Sequence, residues 1–106
     1  MNTYTPDKWV ILKIVTPEGE TIYKVFATWA GGYLDSDYWR VNSGIVRTTF
    51  DAEYYYFKGS TGSTYECSKS MYGVCGGSNY STLNRFLAEE GVSMLEWDEF
   101  LEWEKE

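Results

Sequence analysis

Lys8–Val15 reads KWVILKIV, and beyond Thr16-Pro17-Glu18-Gly19 the chain resumes at Thr21–Ala30 as TIYKVFATWA. The first run is almost continuously apolar and rich in β-branched residues, which suit a pleated surface. Alternation turns Val10, Leu12 and Ile14 one way and Trp9, Ile11 and Val15 the other, so a strand covered on both faces is expected. The second run sets Tyr23, Val25, Ala27 and Trp29 opposite Lys24 and Thr28, the pattern of a return strand. Between them, Pro17 presets a φ of about −65° and Gly19 tolerates a positive one, so the pair reads as a hairpin.

Working outward, Gly31-Gly32 breaks the second strand and Tyr33–Asp37 reads as a loop. Tyr38–Asn42 (YWRVN), Ile45–Phe50 (IVRTTF), Glu53–Lys58 (EYYYFK) and Ser63–Lys69 (STYECSK) follow. Ser43-Gly44, Asp51-Ala52 and Gly59–Gly62 supply the turns between them. The spacing predicts an antiparallel meander of about five to six strands over residues 8–75, either a small curled sheet or an SH3-like partial barrel. After Gly76-Gly77 the period lengthens. Leu83, Phe86 and Leu87 fall at helical spacing, and Gly91 stands where a helix would end. Ser93-Met94-Leu95-Glu96 has the form of a capping box, flanked by Val92 and Trp97 as a hydrophobic staple. Two short helices are therefore expected over residues 80–106, the second with an apolar stripe of Met94, Trp97, Phe100 and Leu101. The chain reads as one α+β domain over residues 1–106. Val10, Leu12, Ile14, Val25, Ala27, Phe57, Leu83, Phe86 and Leu87 are expected to share one core.

The chain has 106 residues, 16 acids, nine Lys plus Arg and no histidine. The missing histidine removes Ser-His-Asp triads, Cys-His dyads and His-ligated zinc together. Net charge −7 argues against direct nucleic-acid binding, which needs clustered bases. No apolar run is long enough to span a membrane, and no basic-then-apolar start suggests a secretory leader. The charge is unevenly placed. Glu89–Glu106 holds eight acids and one base, Lys105, so this end carries the whole net charge and the rest is neutral.

Motifs for chemistry are scarce. Asp35-Ser36-Asp37 could aim two carboxylates at one cation, but nothing nearby completes a metal site. Cys67 and Cys75 lack CxxC spacing, cannot form a zinc site alone, and are expected to be reduced unless the chain is exported. Tyr54–Phe57 must show both faces of a strand, and one face should be core. The other could stack bases only beside a basic groove, for which Arg47 and Lys58 alone lie close. No nucleophile elbow or phosphate-cradling glycine loop is present, and Asn79-Tyr80-Ser81 matches a glycosylation acceptor by letters alone. No catalytic residue, metal ligand or cofactor is assigned.

Trp9-Val10-Ile11-Leu12, Tyr23-Lys24-Val25-Phe26-Ala27, Trp29, Gly31–Leu34, Asp37, Trp39-Arg40, Asn42–Ile45 and Tyr72-Gly73 resemble small accessory proteins of tailed bacteriophages. The resemblance covers about residues 8–73 and leaves the acidic end outside. It implies a phage protein made in the cytoplasm of an infected bacterium, and it carries over no activity.

Two function classes follow. The first is a non-catalytic protein that binds a host or viral protein, or inhibits it, by setting its acidic helix on a basic surface. Its contact residues would be Glu96, Asp98, Glu99, Glu102, Trp103 and Glu106. Trp103 lies about 200° round from Leu101 and is expected to point away from the core as an exposed anchor. The second is a small-ligand pocket or enzyme site around Trp29, Tyr33, Asp35, Asp37, Trp39 and Arg40, with Arg40 gripping an anion. A homo-oligomer built on exposed aromatics is a third, plainer outcome.

Overall fold

The computed structural model describes residues 2–31 and 38–105, so Tyr33, Asp35, Asp37 and Glu106 lie outside the described residues. The strands are β1 (Thr3–Tyr4), β2 (Lys8–Val15), β3 (Thr21–Trp29), β4 (Tyr38–Val41), β5 (Ile45–Phe50), β6 (Tyr54–Gly59) and β7 (Thr64–Ser68). Helix α1 (Gly77–Leu87), strand β8 (Val92–Met94) and helix α2 (Trp97–Glu104) complete the chain. The fold is α+β, as the sequence predicts. Among the described residues two four-stranded sheets form, in the orders β1-β7-β6-β5 and β4-β3-β2-β8, and these do not close into a barrel. The six expected strands are β2 to β7. Two short ones, β1 and β8, join them from the chain's ends.

The β2–β3 hairpin has the turn chemistry its sequence dictates. Gly19 takes φ +88°, and its N–H donates to the Thr16 carbonyl at 2.8 Å. In-register pairing puts Ile11 beside Val25 and Val10 beside Phe26. The two faces of this central pair therefore bury different things. Trp9, Ile11, Val25 and Ala27 meet Tyr55, Phe57, Tyr65 and Cys67 of the other sheet. Val10, Leu12 and Phe26 are covered from the opposite side by Val74 and by Leu83, Phe86 and Leu87 of α1. The single expected core is thus two, because β3 is paired so that Val10 and Val25 face opposite ways. Ile14 is only half-buried near the strand end.

The second helix begins later than its capping letters suggest. Val92, Ser93 and Met94 pair with Ile14, Lys13 and Leu12 as β8, and the Leu95 N–H donates to the Ile11 carbonyl at 2.9 Å. A ladder against an open edge of β2 satisfies more backbone groups than one serine cap could, so the long-range pairing wins. Capping passes to Glu96 and Glu99, whose side chains reciprocally satisfy the N3 and N-cap backbone N–H groups. Gly91 does have a positive φ (+83°), but it sits beyond the end of α1, in the turn that delivers β8. There its carbonyl accepts the Val15 N–H at 2.8 Å.

Candidate functional site

Helix α2 lies across the end of the core between the two sheets. Phe100 is fully buried, with ring centroids 5.3 Å from Trp9, 5.0 Å from Tyr55 and 5.8 Å from Tyr72. Trp103, one turn on, packs 4.8 Å from Tyr23 and 6.4 Å from Phe57, so it touches both sheets. The exposed Trp103 expected from the sequence is overturned. The expected stripe counted Met94 as helical, but Met94 belongs to β8. Phe100 and Trp103 are i,i+3 neighbours about 60° apart on one buried face, whereas the 200° was measured from Leu101, which is only half-buried. The acidic helix therefore docks on its own chain, and Trp97 is the more exposed of its two indoles.

The carboxylates take the other side of α2. Asp98, Glu99 and Glu102 are exposed and line a groove of about 430 Å³ with Lys13, Tyr23, Leu95 and Trp103. Glu96 is exposed too, but like Glu99 it works as a helix cap: the Glu96 N–H donates to Glu99 Oε1 at 2.8 Å. Among the described residues the single ion pair joins Lys105 Nζ to Glu102 Oε1 at 3.8 Å, both largely in water. The acidic surface is therefore left almost uncompensated within the chain. Tyr23 and Lys13 are groove residues that sequence reading missed. Their one signal was a position near the turn end of the β2–β3 hairpin, where the sheet outruns its cover.

The aromatic pocket expected around Arg40 is partly assembled. Trp29 and Tyr38 stack at 4.9 Å with 7° between planes, the Trp29 Nε1–H donates to the Thr5 carbonyl at 3.0 Å, and the Arg40 guanidinium lies 4.4 Å over the Tyr4 ring. Thr3, Tyr4 and Thr5 complete a cleft of about 250 Å³. Trp39 projects mainly to the other face of β4, stacked 5.8 Å from Phe26 and edge-on to Phe86. Strand alternation separates what sequence proximity had joined.

Elsewhere, Tyr55 and Phe57 are the core half of the tyrosine cluster. Tyr54 and Tyr56 share the outer face with Arg47 and Lys58, but the Tyr56 hydroxyl donates to Asp51 Oδ2 at 2.6 Å and Glu66 is paired opposite Tyr56. Acids thus offset the bases beside those rings. Both cysteines are free, and burial pushes the Cys67 thiol well above its ordinary range. Among the described residues there is no cluster of three His, Cys, Asp or Glu able to hold a metal, and no helix long and apolar enough to cross a membrane. Comparison with protein-family models, curated proteins and solved structures finds no match to this chain.

Proposed function

We propose that this chain is a non-catalytic binding protein whose acidic helix α2 docks on a Lys/Arg-bearing surface of a partner protein. The observation that carries the reading is the division of α2. Phe100 and Trp103 fasten it to its own core, while Asp98, Glu99 and Glu102 are held outward on a rigid rim. Carboxylates displayed in this way attract a basic surface before contact and speed encounter. Occupying a groove built for phosphates would make such a protein an inhibitor. A phage origin and action in a bacterial cytoplasm belong to the same proposal. The small-ligand reading has less support, because Trp29 and Tyr38 cover one another and Arg40 is engaged by Tyr4.

Deleting residues 92–106 would remove β8 and Phe100 and unfold the core, so it is the wrong test. The better one is a double charge reversal, Asp98→Lys with Glu102→Lys, at two exposed positions. Wild type and variant are used to capture proteins from a bacterial lysate at low and high salt. A basic protein held by the wild type, released by salt and missed by the folded variant supports the reading. Identical capture by both chains at both salt concentrations overturns it.

A further inference from the structure

Strand β5 ends the order of its sheet, and no described strand pairs with its outer edge. Its sequence, IVRTTF, has no proline, and the features that blunt an edge, a charge at Arg47 and an irregularity between Ile45 and Arg47, fall in its first half and leave Thr48–Phe50 regular. Val46 and Phe50 are 65% and 63% exposed, the most exposed large apolar side chains among the described residues.

The ladder shows which groups are free. The Asp51 N–H donates to the Tyr54 carbonyl, and Lys69 N–H donates to Glu53 on the far side of β6. Alternation then turns the main chain of Thr49 and Arg47 toward β6, and that of Thr48 and Phe50 toward the open edge. The side chains of Thr48 and Phe50 lie on the same sheet face as buried Phe57 and Tyr55, but Phe50, at the strand's end, is left uncovered. Beside this edge, Ile45–Thr48, Tyr23, Trp103 and Glu104 enclose a groove of about 330 Å³. Tyr23 and Trp103 also line the acidic groove, so the two grooves meet at that pair of rings.

We propose that β5 takes up an extended, Lys/Arg-bearing segment of the partner as an additional strand. The inference rests on the charge-led docking at α2 and gives the docking segment its shape. Charge complementarity selects the occupant. Arg47 balances Glu104 within this groove, but the surface continues to Asp98, Glu99 and Glu102 against Lys13 alone, so the joined grooves are net acidic, whereas a second copy would bring another acidic end. Every second side chain of the added strand points inward. A Lys or Arg there lays its alkyl stem on Trp103 and its charge against Glu104. Main-chain bonds to Thr48 and Phe50 supply affinity, and the inward positions supply specificity.

Two labelled decapeptides of equal charge, (Lys-Thr)₅ and Lys₅Thr₅, test this by fluorescence anisotropy with the full chain. Tenfold or tighter preference for the alternating peptide is expected, since it alone presents all its bases on one face. Two further versions of it are N-methylated, one at the Lys amides and one at the Thr amides. A strand uses one edge, so one version should lose binding at least tenfold more than the other. Equal binding of both unmethylated peptides overturns strand addition and leaves the charge-led docking standing. Binding of neither overturns both. Equal losses in the two methylated versions also overturn strand addition. So does sedimentation as a dimer that Phe50→Lys returns to a monomer, which would give the edge to a second copy.

Discussion

The Trp103 ring lies 4.8 Å from that of Tyr23, with 37° between their planes, and this contact holds the acidic helix to the first long hairpin. Tyr23 is on β3, while Phe57, the other ring Trp103 meets, is on β6. Trp103→Ala should therefore loosen both sheets at once. Full truncation of a buried aromatic costs about 3–5 kcal/mol, and a half-buried one about half of that. A loss of about 2 kcal/mol in urea unfolding is expected. An unchanged midpoint would show that α2 does not depend on this contact.

Neighbouring carboxylates on α2 should behave differently. Glu99→Ala removes the acceptor of the Glu96 N–H and should cost about 1 kcal/mol, the usual worth of a cap. Glu102→Lys touches only an exposed pair with Lys105 and should change stability by about 0.5 kcal/mol or less. Its effect should fall on association rate and salt dependence instead. Thermal melts of the two variants, run beside association kinetics with a captured partner, separate the roles.

Tyr72 ties the core to the segment before α2. Its hydroxyl accepts the Ile11 N–H at 3.0 Å and donates to the Leu95 carbonyl at 2.7 Å. Tyr72→Phe leaves that N–H without its hydroxyl partner and should cost about 1–3 kcal/mol at neutral pH. Burial raises the Tyr72 pKa above its ordinary 10.0. The folded state therefore favours the protonated phenol. This contribution is complete below the ordinary value and is lost as pH rises from there toward the folded value. The variant's stability should fall less steeply than the wild type's above about pH 10. Parallel slopes would remove Tyr72 from the alkaline transition.

Asp51 organises the β5–β6 turn by accepting the Tyr56 hydroxyl at 2.6 Å and the N–H groups of Glu53 and Tyr54, each at 2.8 Å. The Tyr56 bond, then the two backbone bonds, hold its carboxyl below the ordinary 3.8, and the same bond pushes Tyr56 up to about 12. A depressed acid contributes stability above its ordinary pKa and loses it as pH falls toward the folded value. Carboxyl NMR should find Asp51 titrating below 3.8, and Tyr56→Phe should move it upward. No movement in that variant would break the assignment.

Much of the framework was legible in local patterns. Period-two runs placed β2 to β7, turn residues placed the hairpins, and Leu83, Phe86 and Leu87 marked the buried side of α1. The uneven charge was pure sequence, since counting acids needs no coordinates. Ser93 shows where local reading fails. Its capping letters are real, but the open edge of β2 offered Val92–Met94 a ladder, and a partner nearly eighty residues away leaves no mark at that spacing.

Docking of α2 then decided the site. It buried the side of the helix that carries Phe100 and set Trp103, its i,i+3 neighbour, onto Tyr23 and Phe57, leaving Asp98, Glu99 and Glu102 as the rim. The free edge of β5 was equally invisible, because the letters of an edge strand and a central one can be the same. The sequence by itself determined the strands, the turns and the acidic end, all of which depend on residues near one another. Which face each helix buries, how the cores divide and which edge stays open were decided by tertiary pairing, where distant segments compete for the same backbone groups and apolar surface.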